Sequence, residues 1–137
     1  MSVPMSAELT WLTYTTLMIG LMWVPYILNR LREQGVAEGF WDPQGITDSR
    51  VGWAQRMMKA HANAVENLAV FAPLAIMVAI TGAGTELTAL AAKVYFFARL
   101  GHYLVFTFAV PLLRVLLFVV AVCAQLVLGL TLIGWLG

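Results

Sequence analysis

The length of its uncharged runs constrains this chain more than any other feature. From Leu9 to Leu28 about twenty residues pass without a charge, and after Arg114 none occurs up to Gly137. A helix rises about 1.5 Å per residue, so about twenty such residues cross the roughly 30 Å hydrocarbon core of a bilayer. Composition agrees, with 61% hydrophobic and 11% charged residues against about 25% charged in an ordinary soluble domain. The pattern predicts an all-α integral membrane protein, one domain over residues 1–137, with four transmembrane helices at about 9–29, 53–81, 87–110 and 111–135.

Glu8 is the only charge before Arg30, which predicts a retained first span rather than a cleaved signal. Arg30 and Arg32 mark its exit. The residues that follow include Gly35, Gly39, Pro43, Gly45 and the charges Glu33, Glu38, Asp42, Asp48 and Arg50. Such punctuation reads as an aqueous loop, with Thr47 or Asp48 placed to cap the next helix. Pro73 interrupts one backbone bond of the second span and bends it. A short turn, Gly82 to Thr85, makes spans two and three antiparallel neighbours. Arg30, Arg32, Arg50, Arg56, Lys59, Arg99 and Arg114 gather at one end of the bundle, against Lys93 at the other. The positive-inside rule puts that end in the cytoplasm and both termini outside.

A net charge of +1 and no basic patch among aromatics argue against nucleic acid. Two histidines on different helices, His61 and His102, make no metal site. Cys123, amid apolar neighbours, reads as a buried structural thiol. The sequence shows no nucleophile with a paired base, no phosphate loop and no carboxylate pair.

Polar chemistry enters the membrane in two stripes. Arg56, Lys59, Asn63 and Glu66 fall at i, i+3, i+7 and i+10, on one face of a helix. Arg99, His102 and Phe106 repeat that spacing on span three at the same depth, while Arg114 enters from span four and Arg30 from span one. An ionisable group at bilayer depth costs about 2.5–3.5 kcal/mol on insertion scales, so these groups face other helices, a polar cavity or the interface. Arg30, Arg56, Lys59, Arg99 and Arg114 stand against Glu66, a cationic surplus that an anionic ligand would balance. Each residue also has a plainer reading. Arginines at helix ends snorkel to lipid phosphates, Asn63 bonds a neighbouring helix, Glu66 pairs with Arg99, and His61, off the stripe, packs at an interface.

The stretch from Lys59 to Phe71, K-A-H-A-N-A-V-E-N-L-A-V-F, resembles the second-helix signature of the MAPEG superfamily, the membrane-associated proteins in eicosanoid and glutathione metabolism. From Arg99 to Arg114, R-L-G-H-Y-L-V-F-T-F-A-V-P-L-L-R resembles the third-helix and corner motif of the same family, and N-R-L-R at Asn29 to Arg32 matches its first-helix arginine. The resemblance covers essentially the whole chain and is nearer to bacterial-type members. It implies a homotrimer of four-helix subunits with glutathione held between neighbours on the cytoplasmic side.

By that resemblance Asn63 and Glu66 contact glutathione, Arg30, Lys59, Arg99 and His102 complete the binding set, and Arg114 is the catalytic residue that stabilises the thiolate. Phe106 and Phe118 line the substrate entrance. The function implied is a glutathione-dependent transferase or peroxidase in a bacterial inner membrane, taking lipophilic electrophiles from the bilayer, with membrane lipids and further copies of the chain as its partners. Active members often carry an arginine where this chain has Ala62, and tyrosines where it has Phe106 and Phe118. Those departures favour the alternative, a non-catalytic scaffold that binds a lipid or a partner membrane protein. A small proton-coupled exporter centred on Glu66 is the third reading, opposed by the surrounding arginines, which would neutralise a proton-releasing site.

Overall fold

The computed structural model describes residues 2–46 and 48–137, and all regular structure among them is helical. Ser6 accepts the Leu9 amide at 3.3 Å and starts α1 (Ala7–Leu21). That helix gives way at Met22 and Trp23. A second, α2 (Val24–Gln34), begins with Pro25 in its first turn, where the missing N–H of proline leaves no bond unmade. Tyr103 donates to the Met22 carbonyl at 2.8 Å and holds the break against the bundle. Gly35, at φ +92°, ends α2, and α3 (Val36–Phe40) turns back so tightly that a Cβ on Gly39 would clash with Leu31.

The long α4 (Gly52–Thr81) follows the loop. Its N-cap is Val51, not Asp48, and the cap expected at Thr47 lies outside the described residues. Ser49 does the anchoring: its Oγ accepts the Val51 amide at 3.1 Å, and Gln55 reaches back to its carbonyl at 2.6 Å. The helix continues through Pro73 and closes on Gly82, φ +68°, where the Ala83 amide returns to the Val78 carbonyl at 3.1 Å. Thr85 and Thr88 exchange side-chain and backbone bonds to open α5 (Glu86–Thr107). A tight turn through Ala109 leads into α6 (Pro111–Leu132).

Two apolar clusters hold the helices together. One joins Leu12, Phe71, Ala75, Val78, Tyr95 and Leu128, with Phe71 stacked on Tyr95 at 3.8 Å between centroids. The other joins Ile19, Met22, Met57, Ala60, Ala64 and Tyr103. Buried alanines on α4, α5 and α6 let the backbones approach closely, which matters in lipid because association there rests on packing and hydrogen bonds rather than on the hydrophobic effect. At the end that carries the N-terminus, the buried carboxylate of Glu8 accepts from Thr88 Oγ1 at 2.5 Å. It lies in the first turn of α1 and against the first turn of α5, where both helix dipoles favour negative charge.

Three helical stretches are long and apolar enough to cross a membrane: Ala7–Gln34, Gly52–Thr81 and Pro111–Leu132. The chain is an integral membrane protein. Like α6, α5 has 22 residues, but Lys93, Arg99 and His102 lower its apolarity. Arg99 and His102 are buried among helices rather than turned outward. Cys123 corrects the expectation of a buried thiol. It is exposed on α6, at an apolar groove of about 270 Å³ between α5 and α6, because Ala121 and Ala124 take the inward face of that turn.

Candidate functional site

Midway along α4 and α5 the packing turns polar. Arg99 is 0% exposed and meets no carboxylate among the described residues. Its Nη2 donates to Asn63 Oδ1 at 2.6 Å, while Nε and Nη1 have no partner. Asn63 is set in turn by Asn67, whose Nδ2 donates to the Asn63 carbonyl at 2.9 Å, and Gln125 of α6 donates to the Asn67 carbonyl at 3.2 Å. Three helices therefore fix one guanidinium. A charge-assisted bond to a neutral amide does not neutralise it, and arginine cannot shed its proton.

The same face of α5 carries more unmet polarity. One turn before Arg99 the buried Tyr95 hydroxyl lies beside the Gln125 amide without a well-formed bond, and Nδ1 of the buried His102 lacks a partner. An unsatisfied buried polar group costs about 1–3 kcal/mol, and a charged one more. Among the described residues such atoms concentrate on this one face of α5, at Tyr95, Arg99 and His102, which makes it the candidate site.

The cluster extends to the corner between α5 and α6. The His102 ring meets Phe106 edge-on at 5.6 Å and Phe118 at 6.4 Å between centroids. Arg114, half-buried in the first turn of α6, lies over the Phe106 ring at 4.5 Å. A cation over an aromatic face gains about 0.5–2 kcal/mol and is held in place without using its N–H groups. Arg56 marks the boundary of the region, donating from Nε to the Thr107 carbonyl at 2.9 Å at the end of α5. Asn63, Arg99, His102, Phe106, Arg114 and Phe118 thus come together from three helices.

Arg30, Lys59 and Glu66 stand apart from that cluster. Arg30, expected to meet a ligand, is engaged by its own loop: it donates to the carbonyls of Ile46 and Asp48 and lies 4.0 Å from the Asp42 carboxylate. Lys59 is exposed beside a cavity of about 360 Å³ that Asp48, Ser49, Gln55 and Met58 also line. Glu66 is exposed midway along α4 and forms no ion pair with Arg99, the oxygen that Arg99 meets being that of Asn63. His61 packs as expected, its Nδ1 lying 2.7 Å from the Tyr26 hydroxyl and tying α2 to α4.

Sequence reading passes over Asn67, Gln125 and Tyr95. Asn67 follows Asn63 by four residues, on the same helical face, and Gln125 is the only amide side chain after Arg114. Those spacings were the available signal. Tyr95 offers none, because its stacking on Phe71 is a tertiary contact. Among the described residues no group of three or more histidine, cysteine, aspartate or glutamate side chains is placed to hold a metal.

No curated protein and no solved structure matches the chain. The family model described as the MAPEG family matches residues 10–134. That stretch includes every residue of the polar cluster and all but the ends of the bundle, and the chain belongs to the MAPEG family.

Proposed function

We propose that the protein is a glutathione-dependent transferase or peroxidase of a bacterial inner membrane, acting on lipophilic electrophiles that enter from the bilayer. The observation that carries this reading is the buried Arg99 guanidinium, with Nε and Nη1 unpartnered and no carboxylate in reach among the described residues. A carboxylate of glutathione would supply both the counter-charge and the acceptors. The MAPEG family covers glutathione-dependent transferases and peroxidases and also non-catalytic members.

In this reading Asn63 and Arg99 bind the peptide backbone and a carboxylate, and His102 orients a neighbour. Lys59 attracts the outer anionic end, while Arg30 acts through the loop it holds. Arg114 is the catalytic residue. A guanidinium beside the sulfur favours the thiolate, which is the nucleophile. The thiol proton leaves to solvent on binding, the thiolate sulfur bonds to the electrophilic carbon, and the leaving group departs with the electron pair of the bond that breaks. Phe106 and Phe118 give the electrophile an apolar wall.

Glu66 supports assembly. A charged side chain exposed at the middle of a membrane helix cannot face lipid without a cost of about 2.5–3.5 kcal/mol. A homotrimer of subunits that each cross the membrane four times, with the Arg30 end in the cytoplasm, gives it a neighbouring protomer and the glutathione ammonium to meet.

The test is turnover of glutathione with 1-chloro-2,4-dinitrobenzene by detergent-solubilised protein. Wild type conjugates, and Arg114→Ala loses on the order of 10²–10³ in kcat, the size expected for one lost transition-state donor. Wild-type protein that neither turns over nor gains thermal stability with glutathione would sink the proposal. The second reading, a non-catalytic scaffold binding a lipid or a partner protein, is favoured by Phe106, whose ring lacks a hydroxyl and engages Arg114. Absence of both turnover and glutathione-dependent thermal stabilisation would select it.

A further inference from the structure

The loop between α2 and α4 is built inside out. Several of its polar groups are turned to one another, while Glu38, Asp48 and Arg50 are exposed. Asp42 accepts the Gln44 amide at 3.1 Å and the Ile46 amide at 2.8 Å, and Arg30 takes the Ile46 and Asp48 carbonyls. Ser49 donates to Glu33 at 2.9 Å and receives Asn29 at 3.2 Å. Its large apolar groups point away: Trp41 is 86% exposed, Phe40 80%, Val36 63% and Ile46 53%. Single exposed apolar residues are ordinary, but four on one internally bonded loop form a surface. Val36 and Phe40, four residues apart on α3, share a face.

Helix length places this surface. The 30 residues of α4 rise about 45 Å, which matches the roughly 40–45 Å of a bilayer with its headgroups rather than the 30 Å core alone. The loop joins α4 at its first residue and therefore lies at headgroup level. Tryptophan prefers that level, its ring half in hydrocarbon and its N–H in the polar layer. Arg32 and Arg50, both exposed and on either side of the patch in sequence, are cations of the kind that anionic headgroups attract.

We infer that the Phe40–Trp41 corner is a foothold in the interfacial layer of the bilayer that the helices cross, so that the first loop lies in lipid headgroups rather than in water. The proposal rests on the membrane reading and not on glutathione chemistry. Two copies touching through this patch is the competing occupant, disfavoured because a loop at headgroup depth already has lipid beside it.

Cys123 is the only cysteine, so Cys123→Ala gives a clean background for a nitroxide at Trp41→Cys, with Gln44→Cys as the polar reference. The full chain is reconstituted in phosphatidylcholine–phosphatidylglycerol vesicles, and relaxation by oxygen is compared with that by a water-soluble nickel chelate. The foothold predicts an oxygen-to-nickel ratio at position 41 several-fold above that at position 44. A label at Val36→Cys repeats the reading without replacing the tryptophan. Equal ratios at 41 and 44 would put the loop in water. Exclusion of both relaxants with spin–spin broadening would make it a contact between copies. Either result overturns the inference.

Discussion

Glu8 and Arg99 are both charged and both buried, at 3% and 0% exposure, and both lie where α5 packs on another helix. Their surroundings differ. Glu8 is met by the Thr88 hydroxyl at 2.5 Å and by the first turns of α1 and α5, so its carboxylate is solvated within the chain. Arg99 has one neutral amide and two nitrogens, Nε and Nη1, without a partner. The turns at the two ends of α5 repeat the contrast. The turn before it uses Gly82 at φ +68°, where glycine is at ease, whereas the turn after it forces Ala109 to φ +61°. One end of the bundle is complete as a structure, and the other is left open around cations. A buried charge that closes within its own chain belongs to the architecture, and one that does not is the candidate for a site.

Glu8→Ala should sharpen that difference most. Losing a hydrogen bond to a charged group costs about 1.5–3 kcal/mol, seen as a lower thermal midpoint in detergent. Glutathione affinity should stay where it was. A variant that lost affinity in step with stability would show that the two ends are not independent. The turns give a smaller effect of opposite sign. Ala109→Gly relieves a left-handed alanine and should raise stability by about 0.5–1 kcal/mol, while Gly82→Ala should lower it by about the same amount. No gain at position 109 would mean that the turn carries no backbone strain.

Much of this contrast is legible in the sequence, because both the spans and the polar stripes follow from spacing alone. Uncharged runs of about twenty residues and the short turn from Gly82 to Thr85 announce helices and their ends before any contact is known. Arg99, His102 and Phe106 at i, i+3 and i+7 announce a face. Spacing does not say what each face meets. Arg30 looks free on the chain and is held by carbonyls of its own loop, which come from 16 and 18 residues away. The break at Met22 depends on Tyr103, 81 residues downstream. Cys123 falls outside the bundle because of how α6 is rotated against α5, and a uniformly apolar run does not encode that rotation. The loop reads as aqueous from its glycines and charges, and spacing does not reveal that Asp42 and Arg30 turn to the loop's own backbone while Phe40 and Trp41 stay outside.

The central claim is that an anionic small molecule completes Arg99, and titrating glutathione into wild type and Arg99→Leu tests it most directly, with both melted unliganded. The account predicts saturable binding by wild type and a loss on the order of 2–5 kcal/mol of binding free energy in the variant. Its unliganded melting point should equal or exceed that of wild type, since leucine removes an unbalanced buried charge. An Arg99→Leu protein that melts well below wild type yet binds glutathione equally would make Arg99 a member of the core and contradict the account.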